Sequence, residues 1–163
     1  MISDCDKSSF KVSPRTIPSW LVPELRSDHA GETGAIFIYK GIVAVNRCEE
    51  IKNFALRHLE TEQKHLQLFD EILGTRIKSR VLPLWRLAGF LTGAIPAIFG
   101  SRAVYHTIEA VEAFVKRHYQ QQIERLKAEE IELSPSLMEI KRILEECQKD
   151  EITHLEESKE KLS

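Results

Sequence analysis

Glu62-Gln63-Lys64-His65 returns later in the chain as Glu151-Ile152-Thr153-His154. On a helix, a separation of three residues sets a carboxylate and an imidazole on one face about a turn apart, where both can bind one metal ion. A single Glu-x-x-His is common on solvated helices. Two copies, each following a helix with an isolated glutamate on its apolar stripe, require a fold that brings four helices together.

From Trp20 onward the periodicity is helical, with no alternating strand pattern of useful length. The first helix is expected from Val22 to Asn46, with Pro23 in its first turn and an inward stripe of Leu25, His29, Glu32, Ile36, Tyr39 and Val43. Glu32 falls in the middle of that stripe, either facing the core or reaching water from its edge. The second helix is expected from Glu49 to Leu73, ending at Gly74, with Ile51, Phe54, His58, Glu62, His65, Phe69 and Ile72 inward. A further helix, Ala103 to Ala128, turns Ile108, Glu112, Val115, Tyr119, Ile123 and Leu126 inward, with Glu109 nearer the edge. Ser134-Pro135 announces the last helix, whose stripe is Leu137, Ile140, Leu144, Cys147, Glu151, His154 and Ser158. Cys147 reads there as a small core residue.

The chain therefore has two similar halves, each pairing a helix that carries one inward glutamate with a helix that carries Glu-x-x-His. Joined through a long apolar crossover, they make an all-α four-helix bundle, the arrangement that carboxylate-bridged dinuclear metal proteins use.

The crossover, residues 81–100, has Arg86 as its only charge. Its length suits a membrane span, but Pro83, Pro96, Gly89, Gly93 and Arg86 weigh against a straight one. Arg76, Lys78, Arg80, Arg86 and Arg102 crowd around it, and Trp85 and Phe90 lie within it. That profile fits a segment lying in a membrane interface with its cations toward lipid phosphates. The alternative is a connecting helix buried in the core.

Charge balance tests the metal reading. Glu32, Glu62, Glu112 and Glu151 would face one another in a dry core, where even one uncompensated carboxylate costs several kcal/mol. Two divalent ions cancel the four charges, and neutral His65 and His154 complete the set. Oxygen and nitrogen donors without thiolate favour iron or manganese over structural zinc. The motif glutamates, Glu62 and Glu151, are expected to bridge, with Glu32 and Glu112 as terminal ligands.

The rest of the composition bounds the class. At 163 residues the chain suits one domain, residues 20–163, preceded by a polar, loose arm over residues 1–19 that lacks signal- and transit-peptide character. A net charge of -2 argues against a nucleic-acid partner. Cys5, Cys48 and Cys147 are widely spaced and odd in number, which suits a reducing compartment.

Leu25 to Ala35, with its run Asp28-His29-Ala30-Gly31-Glu32-Thr33-Gly34-Ala35, resembles the signature that opens the demethoxyubiquinone hydroxylases. The resemblance continues through Glu62-x-x-His65, Pro83-Leu84-Trp85, Val111-Glu112, His118-Tyr119 and Asp150-Glu151-x-x-His154, covering about Leu25 to Leu155. It implies a ferritin-like, peripheral membrane monooxygenase holding two iron ions. Such an enzyme hydroxylates the ring of a polyprenylated methoxy-benzoquinol in ubiquinone biosynthesis, with electrons from NADH or a related donor. His118 and Tyr119 resemble a pair beside the cluster that orients a ligand or relays charge, although Tyr119 reads equally as a core aromatic with a bonded hydroxyl. His29 is expected either to support the site by hydrogen bonding through Asp28 or to be a satisfied structural histidine, and His58 to be structural.

Two other functions share these features, since fold and ligands do not dictate reaction. One is a ferroxidase or peroxidase of the same bundle class; the other is a non-catalytic, membrane-associated helical module. The expected location is the cytoplasmic face of a bacterial inner membrane, with a processed organellar protein as the alternative. A basic rim beside an exposed apolar segment suits a homodimer or a lipid-binding partner from the ubiquinone pathway.

Overall fold

The computed structural model describes residues 17–74, 81–128 and 134–163. Apart from its last three residues, the expected N-terminal arm lies outside the described residues, as do Arg76, Lys78 and Arg80. Five helices follow in order: α1 (Leu21–Val45), α2 (Glu49–Leu73), α3 (Leu82–Phe99), α4 (Ser101–Ala128) and α5 (Pro135–Glu160). Among the described residues there is no strand.

The helix boundaries have local causes. Gly74 takes φ 62° and closes α2 with its N–H on the Asp70 carbonyl, a conformation glycine adopts without steric cost. Ser134 caps α5 by accepting the Leu137 N–H, and Pro135 occupies the first turn. Gly100, at φ 100°, is the whole connection between α3 and α4. As a result α4 begins two residues earlier than its periodicity suggested.

α1, α2, α4 and α5 form the ferritin-like four-helix bundle, and two apolar clusters fill its ends. At one end Leu25, Phe69, Tyr119, Ile123, Ile140 and Leu144 meet; at the other, Tyr39, Ile42, Ile51, Phe54, Tyr105 and Ile108. The first combines the start of α1 with the end of α2 and the end of α4 with the start of α5, so each pair runs antiparallel. Ile17 and Trp20 pack on this cluster from before α1. The expected metal residues lie between the two clusters.

α3 is the crossover, and it is not buried in the core. Leu84, Leu87, Leu91, Ile95 and Ile98 recur at steps of three and four, all well exposed, reaching 70% at Ile98. The opposite face of α3 packs backbone to backbone on α1. A side chain at Gly93 would collide with the Ile38 carbonyl, one at Gly89 with the Gly34 carbonyl, and one at Gly41 with the Phe90 carbonyl. These three glycines set the distance between the two helices. By length and composition α3 could cross a membrane, with a mean hydropathy of 1.4 over 18 residues.

Candidate metal centre

α1 and α4 each bring one glutamate to the middle of the bundle, and α2 and α5 each bring one Glu-x-x-His. All six side chains, Glu32, Glu62, His65, Glu112, Glu151 and His154, are buried. Their ligand atoms fall into two overlapping groups. One contains Glu32, Glu62, His65 and Glu151; the other contains Glu62, Glu112, Glu151 and His154, with all atoms of each group within 4.8 Å of one another. Glu62 and Glu151 belong to both, and Glu32 and Glu112 to one each. His65 Nδ1 lies 3.3 Å from Glu151 and 3.5 Å from Glu32, and His154 Nδ1 lies 3.2 Å from Glu62.

The donor set fits metal on a direct observation. Buried oxygens of Glu32, Glu62 and Glu151, together with Nδ1 of both His65 and His154, have no hydrogen-bond partner. Leaving such atoms unpaired costs about 1–3 kcal/mol each, more when charged. A cation satisfies them together.

The electrostatics agree. Burial first, then the nearby charge of Glu62 or Glu151, pushes Glu32 and Glu112 well above the carboxylate range. Burial also raises Glu62 and Glu151, but their neighbours outweigh it, the imidazoles for both and Glu112 for Glu151, so both end below their ordinary values. Burial would lower His154, yet contact with Glu151 and Glu62 lifts it to about 9. His65 is likewise raised: burial opposes the shift, while Cys147 and the surrounding carboxylates cause it.

A second layer of side chains fixes the first. Tyr39, from α1, donates to Glu112 at 2.6 Å. Tyr119, from α4, donates to Glu32. Each tyrosine stands seven residues after the glutamate of its own helix and bonds the glutamate of the other. The repeated Glu-x6-Tyr, Glu32 to Tyr39 and Glu112 to Tyr119, was a readable signal, although Tyr39 had been placed only as an inward residue. Asp150 holds His65 through Nε2 at 3.1 Å, fixing which nitrogen faces the carboxylates. His58 stacks on His154 at 3.9 Å and links Tyr39 to Glu157, at 3.1 Å and 2.8 Å. Its two nitrogens face Tyr39 and Glu157, so His58 buttresses the site. Cys147 occupies the matching place in the other half, four residues before Glu151; burial pushes its thiol up to about 11.

His29 follows its structural reading and not the one through Asp28. Its Nε2 bonds Asp70 of α2 at 2.7 Å, because on α1 it points away from Asp28 and toward α2. Asp28 instead receives Gln122 Nε2 at 2.8 Å and lies 3.0 Å from His118 Nε2. Contact with Asp28 raises His118 despite partial burial.

A cavity of about 330 Å³ lies between α1, α3 and α4. Its wall includes Glu32, Glu62, Glu112 and Glu151, along with Asp28, His118 and Tyr119. Trp85 of α3 and Phe114 of α4, both exposed, line it as well.

A four-helix bundle that buries two overlapping carboxylate–imidazole groups has the ligand pattern found in dinuclear metal proteins of this class. Within that class, the family described as Ubiquinone biosynthesis protein COQ7 matches residues 19–163, and the chain belongs to it. The 3-demethoxyubiquinol 3-hydroxylase of Rhodospirillum rubrum is 37% identical over 121 residues, 72% of this chain and 57% of the relative. The mitochondrial NADPH-dependent 3-demethoxyubiquinone 3-hydroxylase of Rattus norvegicus is 35% identical over 132 residues, 80% of this chain and 59% of the relative. The mitochondrial 5-demethoxyubiquinone hydroxylase of Saccharomyces cerevisiae is 30% identical over 146 residues, 81% and 62% of the two chains. This chain thus spans somewhat under two thirds of the length of these relatives.

Proposed function

We propose that this chain is an oxygen-dependent hydroxylase acting on the ring of a polyprenylated methoxy-benzoquinol in ubiquinone biosynthesis. The observation that carries this reading is the cavity, which borders the buried carboxylate cluster and is lined by the exposed aromatics Trp85 and Phe114. A ferroxidase has no need of such a cavity for an apolar ring. Family membership and the names of the relatives point the same way.

In this reading Glu32, Glu62, His65, Glu112, Glu151 and His154 would hold two irons, Glu62 and Glu151 belonging to both groups of donors. When bound, the irons supply two-electron redox chemistry toward dioxygen, the reducing equivalents coming from NADH or a related donor. The protein's own work is positional. Tyr39 and Tyr119 hold the terminal glutamates, Asp150 holds His65, and the apolar lining excludes water. His118, at the cavity wall against Asp28, offers a proton at Nε2 to a ring oxygen.

The decisive test is anaerobic ferrous reconstitution, then a short-chain demethoxyubiquinone analogue, NADH and isotopically labelled dioxygen. Labelled oxygen on the quinone ring is the expected product, read by mass spectrometry. Ferric iron forming at one rate with or without the quinone, and no labelled product, would move the assignment to a ferroxidase.

In this reading the enzyme works at a membrane surface, where a substrate with an isoprenoid tail resides, with the cytoplasmic face of a bacterial inner membrane as the proposed location. α3 lies in the interface with its leucines and isoleucines down, since α1, packed directly behind it, carries buried Glu32 and cannot enter hydrocarbon. In the absence of lipid, a second copy or a lipid-binding pathway partner would cover the same face. Leu87→Asp combined with Ile95→Asp should weaken co-sedimentation with anionic vesicles about a hundred-fold or more, from the loss of two buried aliphatic side chains. Iron loading should be unchanged. Unaltered vesicle binding would place the contact elsewhere.

A further inference from the structure

Inside a helix glycine is the least favourable residue after proline, yet α1 carries three: Gly31, Gly34 and Gly41. Gly41 has a packing reason. A Cβ there would collide with the Phe90 carbonyl and sit 2.8 Å from the Ala94 nitrogen. Gly31 and Gly34 have no such reason. A Cβ at either would meet nothing within 4 Å, and neither has a positive φ. Both line the cavity beside the carboxylate cluster. At buried Gly34 the missing side chain leaves space within that cavity, and at exposed Gly31 it leaves the solvent-facing part of the same wall clear.

An independent feature marks the same wall as a ligand site. Asp28 lies one turn before Gly31 and lines the same cavity at 3% exposure. Its Oδ1 accepts from Gln122 and lies 3.0 Å from His118 Nε2, while its Oδ2 is buried without a hydrogen-bond partner. A buried polar atom of this kind calls for a donor, and a ring hydroxyl is one.

Resting on the hydroxylase reading for the identity of the ring, we propose that Gly31 and Gly34 are specificity-determining residues. Their bare backbone forms the slot that admits the methoxy-bearing edge of the benzoquinol, and Asp28 Oδ2 accepts a hydrogen bond from a ring hydroxyl. The glycines give up helix stability for clearance. Alanine at either position therefore makes a better helix and a narrower slot.

The test uses iron-loaded Gly34→Ala and Gly34→Val proteins with two short-chain reduced probes, a methoxy-benzoquinol and its counterpart lacking the methoxy group. Binding is read by anaerobic equilibrium dialysis, turnover by product mass, and folding by thermal melting. Gly34→Ala should melt about 2–4 °C higher than the native protein. Gly34→Val should bind the methoxy probe about ten-fold or more weakly and the smaller probe within about two-fold of native. Equal weakening of both probes, weakening of neither, or no binding of either to the native protein overturns the slot. If the native protein hydroxylates neither probe and the binding discrimination still appears, the slot stands and the hydroxylase reading falls. If the native protein hydroxylates both and Gly34→Val leaves their ratio unchanged, the slot falls and the hydroxylase stands.

Discussion

Glu151→Gln and Glu62→Gln are each expected to abolish loading of the full metal complement, whereas Glu112→Gln should keep a single ion. The distinction follows from geometry. Glu62 and Glu151 contribute to both ligand groups, and Glu112 only to the group around His154. Two divalent ions held in one cluster repel each other, and the carboxylates common to both groups are the charges placed to offset that repulsion. Removing one of them leaves neither position with its donors. Removing Glu112 empties one position and leaves Glu32, Glu62, His65 and Glu151 for the other. Glutamine keeps the shape and removes the charge, so the fold should survive, and the helical signal in circular dichroism should be native. Metal content after anaerobic ferrous reconstitution decides the matter: equal stoichiometry in all three variants would refute the shared-ligand assignment. On the proposed hydroxylase reading, which uses both ions, ring hydroxylation should fall below detection in all three.

The inward placement of the six expected ligand residues was legible because it depends on one chain property, the 3.6-residue period. An acid or imidazole in step with leucines and isoleucines is carried inward whatever the helices pack against. The Glu-x-x-His spacing then fixes the pairings within each helix. Contacts between helices carry no such signature. Nothing in the spacing of His29 says that Asp70, on another helix, is its partner rather than its neighbour Asp28. The crossing of Tyr39 to Glu112 and of Tyr119 to Glu32 likewise exists only once α1 and α4 lie antiparallel. The apolar crossover was open to two readings because composition does not say which face is covered. Gly89 and Gly93 remove the buried alternative, by letting the α3 backbone press on α1 and turning the leucines outward.

Loading the site with two ferrous ions should release up to four protons, and affinity should rise steeply with pH. Without metal the cluster balances its charge with protons: His65 and His154 are raised and cationic, Glu62 and Glu151 are lowered and anionic, and Glu32 and Glu112 are raised and neutral. With two divalent ions the four carboxylates are all ionised and both imidazoles neutral. Either state is close to neutral overall, which is why either can be buried. The signs for the metal-free protein follow. The raised His154 contributes stability that is complete below about 6.5 and is lost as pH climbs through about 9. Raised Glu32 and Glu112 act in the same direction, since the fold holds their protons more tightly than the unfolded chain does. Lowered Glu62 and Glu151 contribute above the ordinary carboxylate range, about 4.5, and lose that contribution as pH falls below it. The metal-free protein should therefore be most stable in mild acid and weaken toward pH 9, His154 alone accounting for roughly 3 kcal/mol. The loaded protein has already released these protons, and its melting temperature should not fall over that range. The gap between the two melting curves must then widen from pH 6 to pH 9. Calorimetric titration in buffers of different ionisation enthalpy counts the protons directly. A count of zero would mean that the imidazoles and carboxylates of the bundle core do not bind the metal.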